Sequence, residues 1–384
     1  MNILYTTSSS FLDSDLPLLK SYSEAGHSVF LIVTINPNGL KSTVVSIEKQ
    51  HPVEGIFDYK EIYPNEFEMF AQYTCVKKLY ILNLLTNSVK IRNIKIHFRI
   101  NQLVVLHNIE IDHHIGIPCI TSIPAILFRR CKKIVTVHDP IPHENEELPK
   151  VRFLRMLVLK FISNVVLLNR VQKEGFFKHY YISRMNVYYS RLGNYDVLRL
   201  FGSTLKSDKR LILFYGRISQ YKGVEILLKA FKNIEKQFND VKLIVAGKGT
   251  FHFDVTPYLN DSQIEFINSY ISLDNLCTLI RSCEFSVCPY ISATQSGVVA
   301  SVLALGKPLI VTNVGGLPSM IENGKSGIVI EPNSVDELEE SMKKLLSDKR
   351  TLVSMYKYIE TSSKIGFYSW EEIAKNYISI YNQL

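Results

Sequence analysis

Two cations, Arg217 and Lys222, sit in the stretch Leu211–Phe231, LILFYGRISQYKGVEILLKAF. Leu211–Tyr215 is a short apolar run of the kind that forms a buried strand, and Gly216 interrupts it. Beyond Gly223, the residues Val224, Leu227, Leu228 and Phe231 recur at helical spacing. A strand therefore ends in a loop bearing an arginine and a lysine, and the loop feeds a helix. Unpaired N–H groups and the dipole at a helix start favour anions. A guanidinium and an ammonium added there suit a doubly charged group such as a diphosphate. A solvated turn with two surface cations fits the same pattern. A second stretch, Thr294-Gln295-Ser296-Gly297, follows the apolar run Phe285–Pro289 and opens a helix over Val298–Leu305. It offers N–H groups and hydroxyls without a carboxylate, either as an anion pocket or as a plain helix cap by Ser296 or Thr294. His138 closes the strand Cys131–His138, and in open α/β sheets ligands bind at such carboxyl ends. Its alternative is a structural role, paired with Asp139 or a backbone carbonyl. Asp13 and Asp15 fall on the first loop, where they face a ligand or cap a helix.

The elements that must position these groups follow a β-α beat. Asn2–Thr6 reads as a strand, Leu16–Glu24 as a helix and His27–Thr34 as a strand, the opening of a parallel sheet. Leu103–His107 and Asn164–Asn169 read as further strands. Val151–Phe161 carries Arg152, Arg155 and Lys160 among large apolar residues. It is a helix lying on a membrane surface, or a core helix with solvated cations. Leu192–Asn194 and the polar run Gly202–Lys209 read as an interdomain linker. After it come strands at Val241–Ala246, Ile264–Ile267, Phe285–Pro289, Pro308–Thr312 and Gly327–Ile330, with helices between them. Trp370, Ile373, Tyr377, Ile380 and Tyr381 share one face of a last helix. The fold class expected is α/β, two doubly wound Rossmann-like domains facing a cleft. The expected boundaries are 1–200, 201–365 and a final helix in 366–384.

With 384 residues, 46% of them apolar and 21% charged, the chain has the composition of a globular protein long enough for two domains. No apolar run has the length of a membrane span, and MNILYTTSSS lacks the basic start of a secretory signal, so a cytoplasmic setting is expected. Six scattered cysteines, with no CxxC pair, fit reduced buried thiols. The net charge is +8, and residues 1–200 hold 24 Lys and Arg against 17 Asp and Glu. That half favours an anionic partner: a membrane surface, a phosphorylated acceptor or nucleic acid. His113, His114 and His143 lack a carboxylate-rich set at ligand spacing, so no metal is expected. The serine-hydrolase, P-loop and zincin motifs are all missing.

The G-R-x-x-x-x-K-G spacing of Gly216, Arg217, Lys222 and Gly223 resembles the donor-site motif of the retaining, two-domain (GT-B) glycosyltransferases of the family-4 type. Gly247-Lys248-Gly249 and Gly315-Gly316-Leu317-Pro318 match that family's later glycine turns in order and spacing. The resemblance covers most of 209–384 and is thinner before it, resting there on the opening βαβ unit and on VTVHDPIPH around His138. It implies that Arg217 and Lys222 hold the diphosphate of a UDP- or GDP-sugar and that His138 contacts the transferred sugar. Those three are the expected catalytic residues. The family has a pair of glutamates at the positions of Ala293 and Ser301; both are missing here, and the paired glycines of the first loop are replaced around Ser8–Ser10. This T-Q-S-G version resembles a branch of bacterial polysaccharide-assembly enzymes without the paired acids. Ribose binding then falls to another group, with Ser301 the candidate.

The expected activity is hexosyl transfer, with retention and without a metal or other cofactor, from a nucleotide-sugar to a saccharide or lipid-linked saccharide. The implied setting is surface polysaccharide synthesis, capsule or lipopolysaccharide, at the inner face of the plasma membrane, with an anionic membrane surface as partner and no nucleic acid. The expected donor contacts are Gly216, Arg217, Lys222, Asn268 and Tyr270 near the base, then Thr294, Gln295, Ser296, Gly297 and Ser301. Two rivals share these features: a non-catalytic nucleotide-sugar-binding subunit and a nucleotide-sugar epimerase of the same fold.

Overall fold

The computed structural model describes residues 1–86, 90–138, 149–170, 173–182, 185–205, 207–293 and 295–384. The chain forms two compact units, one of Met1–Leu192 with Trp370–Leu384 and the other of Gly193–Ser369. Gly193 precedes the expected seam at 200. Tyr195 N donates to Ala300 O, which ties the start of the second unit to its own interior.

The first unit holds an eight-stranded sheet. Its strands are β1 (Asn2–Ser8), β2 (Ser28–Ile35), β3 (Gly55–Asp58), β4 (Lys78–Asn83), β5 (Ile111–Ile115), β6 (Lys132–Val137), β7 (Asn164–Leu167) and β8 (Asn186–Tyr189). The order is β3-β4-β2-β1-β5-β6-β7-β8, and β3 alone pairs antiparallel. The central strands are apolar on both faces, because helices cover both. The helix Trp370–Gln383 completes this unit by packing on the helix Leu12–Glu24. There the Tyr22 and Tyr381 hydroxyls meet at 2.9 Å, and Tyr381 also reaches His113 Nδ1 at 2.6 Å.

Leu103–His107 is not a strand. Asn93–Leu106 is a helix and His107 is its C-cap residue. Ile96, Ile100 and Val104, four apart, are the buried stripe that decides it. His107 stacks on Phe30 at 4.2 Å and meets the Tyr80 hydroxyl at 2.9 Å, and its carbonyl accepts from Asn2 Nδ2, so it lies by the amino ends of β1, β2 and β4 and not at a carboxyl end. The strand of that region is β5, IDHHI, whose polar residues hid it.

The second unit holds six parallel strands, β9 (Arg210–Tyr215), β10 (Val241–Ala246), β11 (Ile264–Ile267), β12 (Cys283–Cys288), β13 (Leu309–Thr312) and β14 (Gly327–Ile330). Their order is β11-β10-β9-β12-β13-β14, that of a dinucleotide-binding Rossmann sheet. The strand order reverses between β9 and β12, so the crevice for a ligand opens where those two strands end. The helix Val224–Ile234 buries Val224, Leu227, Leu228 and Phe231. The stretch Gly202–Leu205, part of the expected interdomain linker, is hydrogen-bonded to a helix. Gly202 N, Ser203 N and Leu205 N donate to Asp274, Thr278 and Ser282 on the helix Leu273–Ser282.

Candidate functional site

The loop after β9 is built by backbone touching backbone. A side chain at Gly247 would meet Gly216 O at 2.0 Å, and one at Gly249 would meet Ile218 O at 2.0 Å. Gly216 N donates to Ala246 O, and Ile218 N to Lys248 O. Gly223 sits at φ +65, and a methyl there would meet Pro289 O at 1.9 Å. These approaches seat the loops after β9, β10 and β12 against one another with no side chain between them. Ile291 N donates to Tyr221 O at 2.7 Å and closes the same seam.

Lys222, at the end of the short 3₁₀ turn Gln220–Lys222, is carried into this seam. Its Nζ lies 3.6 Å from the centre of the buried Tyr290 ring. Among the described residues no carboxylate lies within ion-pair distance of it. Burial pulls the Lys222 ammonium down from 10.5 to about 8, and the charge of Arg217 pushes the same way. Arg217 is exposed on the adjoining turn. A half-buried cation with no carboxylate partner among the described residues is costly, which makes the spot receptive to an anion.

Tyr290 links the lysine to the second stretch. Its hydroxyl lies 3.4 Å from Ser296 Oγ, and its carbonyl accepts from Thr312 Oγ1. Ser296 holds the N-cap position of the helix Gly297–Ala304, yet its side chain makes no cap bond. Gly297 is exposed there, and a methyl on it would lie 3.1 Å from the Tyr195 hydroxyl. Gln295 is half-buried beside it. Gly216, Arg217, Lys222, Gln295, Ser296 and Gly297 thus gather around the ends of β9 and β12. Thr294 lies outside the described residues.

Three expected contacts stand differently. Asn268 uses both ends of its amide on one glycine: Gly249 N donates to Oδ1 at 3.0 Å and Nδ2 donates to Gly249 O at 3.1 Å. The pair of bonds holds the glycine turn. Tyr270 is 76% exposed beyond it. Ser301 is buried and its hydroxyl donates to Gly297 O one turn back, a bond within its own helix. Tyr290 and Tyr195 were not foreseen. Tyr290 had one available signal, an aromatic directly after a strand-ending proline; Tyr195 had none.

In the first unit His138 follows β6 and is half-buried, its ring stacked on Phe11 at 4.6 Å and 27°. Asp13 and Asp15 are buried rather than capping: the N-cap residue is Phe11. Thr7 Oγ1 and Tyr5 Oη donate to Asp15 at 2.5 and 2.9 Å. Burial nevertheless pushes Asp15 up to about 7 and Asp13 up to about 6. Asp139, Pro140 and His143 lie outside the described residues. Among the described residues no three His, Cys, Asp or Glu are grouped to hold a metal, and no helix is long and apolar enough to cross a membrane.

Residues 199–362 match the glycosyl transferases group 1 family. The glycosyl transferases group 1 segment contains both cations and both glycine turns. An uncharacterised glycosyltransferase of Methanocaldococcus jannaschii is 30% identical over 188 residues, 46% of each chain. The chain spans about half the length of the curated relatives it matches. Sucrose-phosphate synthase of Thermosynechococcus elongatus superposes with a TM-score of 0.63 at 15% identity, over 100% of this chain and 99% of that one. Anabaena HepE in complex with UDP gives 0.66 at 13%, over 100% of both. Likenesses of this kind establish the fold, two parallel-sheet Rossmann-like domains of the GT-B class.

Proposed function

We propose that this chain is a glycosyltransferase that moves a sugar from a nucleotide-diphosphate donor to a saccharide acceptor. The single observation that carries this reading is Lys222, desolvated on Tyr290 with no carboxylate partner among the described residues, beside Arg217 at the switch point of the second unit. A diphosphate completes that site by supplying the missing anion. As the bond to the sugar breaks, charge grows on the leaving diphosphate, and a cation held in a desolvated place binds that state more tightly than the ground state. The N-terminus of the helix Gly297–Ala304, uncapped by Ser296, adds N–H donors to the same task. The match of residues 199–362 to the glycosyl transferases group 1 family supports the reading. HepE, similar in fold, binds UDP, which supports UDP as the base-bearing half of the donor.

The finer features belong to the same proposal. His138, beside Phe11, faces the sugar. Transfer proceeds with retention and needs no metal, because Arg217, Lys222 and helix N–H groups neutralise the diphosphate. The acceptor is a saccharide or lipid-linked saccharide of surface polysaccharide assembly, of the branch without the glutamate pair, met at an anionic membrane face. The absence of a carboxylate at Ala293 and Ser301 favours one rival, a donor-binding subunit that does not turn over.

The test is a thermal-shift screen of UDP- and GDP-sugars, followed by hydrolysis and transfer assays with the best binder. Stabilisation by one nucleotide-sugar, with turnover lost in Lys222→Met, is the expected result. Binding without any turnover establishes the rival. No stabilisation by any nucleoside diphosphate ends the proposal.

A further inference from the structure

The helix Asn93–Leu106 packs on the first unit's sheet through Ile96, Ile100 and Val104, against Leu4, Phe30, Ile32 and Leu82. A surface helix ordinarily turns polar residues outward. Here the outward positions include Phe98, Val105 and Leu106, and Val105 is 76% exposed. The short helix Ile123–Phe128 lies beside it and adds exposed Leu127 and Phe128, the latter at 74%. The Phe98 and Phe128 rings are 5.9 Å apart, so apolar residues of the two helices form one patch. Asn101 ties the helices together: its Nδ2 donates to Ala125 O at 3.1 Å, and its Oδ1 accepts from Arg129 Nε at 2.9 Å.

The rim of this patch is cationic. No Asp or Glu occurs from Lys90 to Ile109 or from His113 to His138, while those two stretches hold eight Lys and Arg. Lys95 and Arg99 are exposed on the first helix, and Arg130 is exposed just after Phe128 and the buried Arg129. Arg92 pairs with Glu54 and Arg129 with Asp112, but among the described residues no carboxylate pairs with Lys95, Arg99 or Arg130. Exposed apolar side chains among unpaired cations suit a surface that is anionic outside and apolar within, a bilayer of acidic lipid. A second copy of this chain fits poorly, because a two-fold contact sets these cations against their own kind. A nucleic acid uses the cations and leaves Val105, Leu106 and Leu127 without a partner. The helix Pro149–Leu159, the membrane candidate in the sequence, is less free: Val158 and Leu159 are buried, and Arg152 donates from Nε and Nη2 to His179 O.

We propose that the face formed by Phe98, Val105 and Phe128 with Lys95, Arg99 and Arg130 docks the first unit on an anionic lipid bilayer. The purpose of docking, access to a lipid-linked acceptor, rests on the transferase reading above; the docking face itself stands on exposure and charge.

Flotation of the full chain with vesicles of phosphatidylglycerol and phosphatidylcholine, against phosphatidylcholine alone, tests this, with the thermal shift by UDP as a separate arm. The chain binds the acidic vesicles at low salt, less at high salt, and the neutral ones far more weakly. Val105→Ser with Phe128→Ser, and separately Lys95→Gln with Arg130→Gln, each lower partitioning at least about tenfold and keep the UDP response. Phe153→Ser, on the helix Pro149–Leu159, changes neither. The proposal is overturned if the wild-type chain ignores acidic vesicles at low salt, binds neutral ones equally, or loses binding in Phe153→Ser but not in the serine pair. Loss in the glutamine pair alone also overturns it, because a general polyanion surface explains that result. So does self-association in ultracentrifugation that the serine pair abolishes, without vesicle binding; a second copy then covers the patch. A chain that floats with acidic vesicles but does not answer to UDP keeps the docking face and removes the donor assignment instead.

Discussion

Replacing Lys222 by methionine should make the protein more stable and unable to bind UDP. The ammonium is held down at about 8 from 10.5, chiefly by burial. That difference corresponds to about 3 kcal/mol of cost to the charged form. The Tyr290 face, 3.6 Å away, returns up to about 2 kcal/mol. A net gain of about 1–3 kcal/mol at pH 7 follows for the neutral, similarly shaped methionine. The sign of the pH effect is fixed by the same numbers. Below pH 8 the lysine is charged in both folded and unfolded chains, and the folded one carries the full cost. Between about 8 and 10.5 the folded chain has shed its proton and the unfolded chain has not, so stability rises with pH across that window. Binding runs the other way. A diphosphate requires the ammonium, so UDP affinity is flat below pH 8 and falls by up to about tenfold per pH unit above it. Urea denaturation at pH 7 and 9.5, with calorimetric titration of UDP over the same range, reads both effects. A methionine variant that is less stable than the unmodified chain, or that binds UDP with undiminished affinity, would falsify the placement of Lys222 as a desolvated anion receptor.

Gly223→Ala should cost more than about 3 kcal/mol, because the new methyl meets Pro289 O at 1.9 Å on a positive-φ backbone. Gly306→Ala is its control, at φ +77 with nothing within 4 Å, and should cost about 1 kcal/mol; equal urea midpoints for the two refute the seam argument. Asn268→Ala should loosen the Gly249 turn at a cost of about 1 kcal/mol and weaken UDP and GDP alike. A selective loss of one nucleotide over the other in competition titrations would show that Asn268 reads the base after all. Asp15→Asn should flatten the pH dependence of stability. Burial raises Asp15 from 3.8 to about 7, so the folded chain holds a proton that the unfolded one releases, and stability falls as pH rises through that window. Asp13, raised to about 6, keeps the rest of the slope. An unchanged fall in urea midpoint between pH 4.5 and 7.5 counts against this account.

How much of this was legible depends on which interactions were local. The helix Val224–Ile234 was readable because its buried residues recur at one period within one stretch. The strands β10, β11 and β14 were readable as apolar runs bounded by turn residues. Leu103–His107 misled because four apolar residues in a row fit a strand or a helix equally, and only the stripe running back to Ile96 separates them. β5 escaped because its Asp112, His113 and His114 are paid for by partners far away: Arg129, Thr136 and Tyr381. Asn268 and Ser301 were singled out by position alone; their side-chain hydrogen bonds to Gly249 and Gly297 could be read only from the folded chain.

The order of residues alone determined that a cation-bearing, glycine-flanked loop joins a strand to a helix, since spacing and backbone permissiveness are local properties. Only tertiary structure decided that Lys222 lies on Tyr290 and that Gly223 abuts Pro289. Those neighbours are brought together by β9 pairing with β12 across the reversal of the sheet. Strand order is chosen by the packing of the whole unit, and no periodicity within a single stretch encodes it.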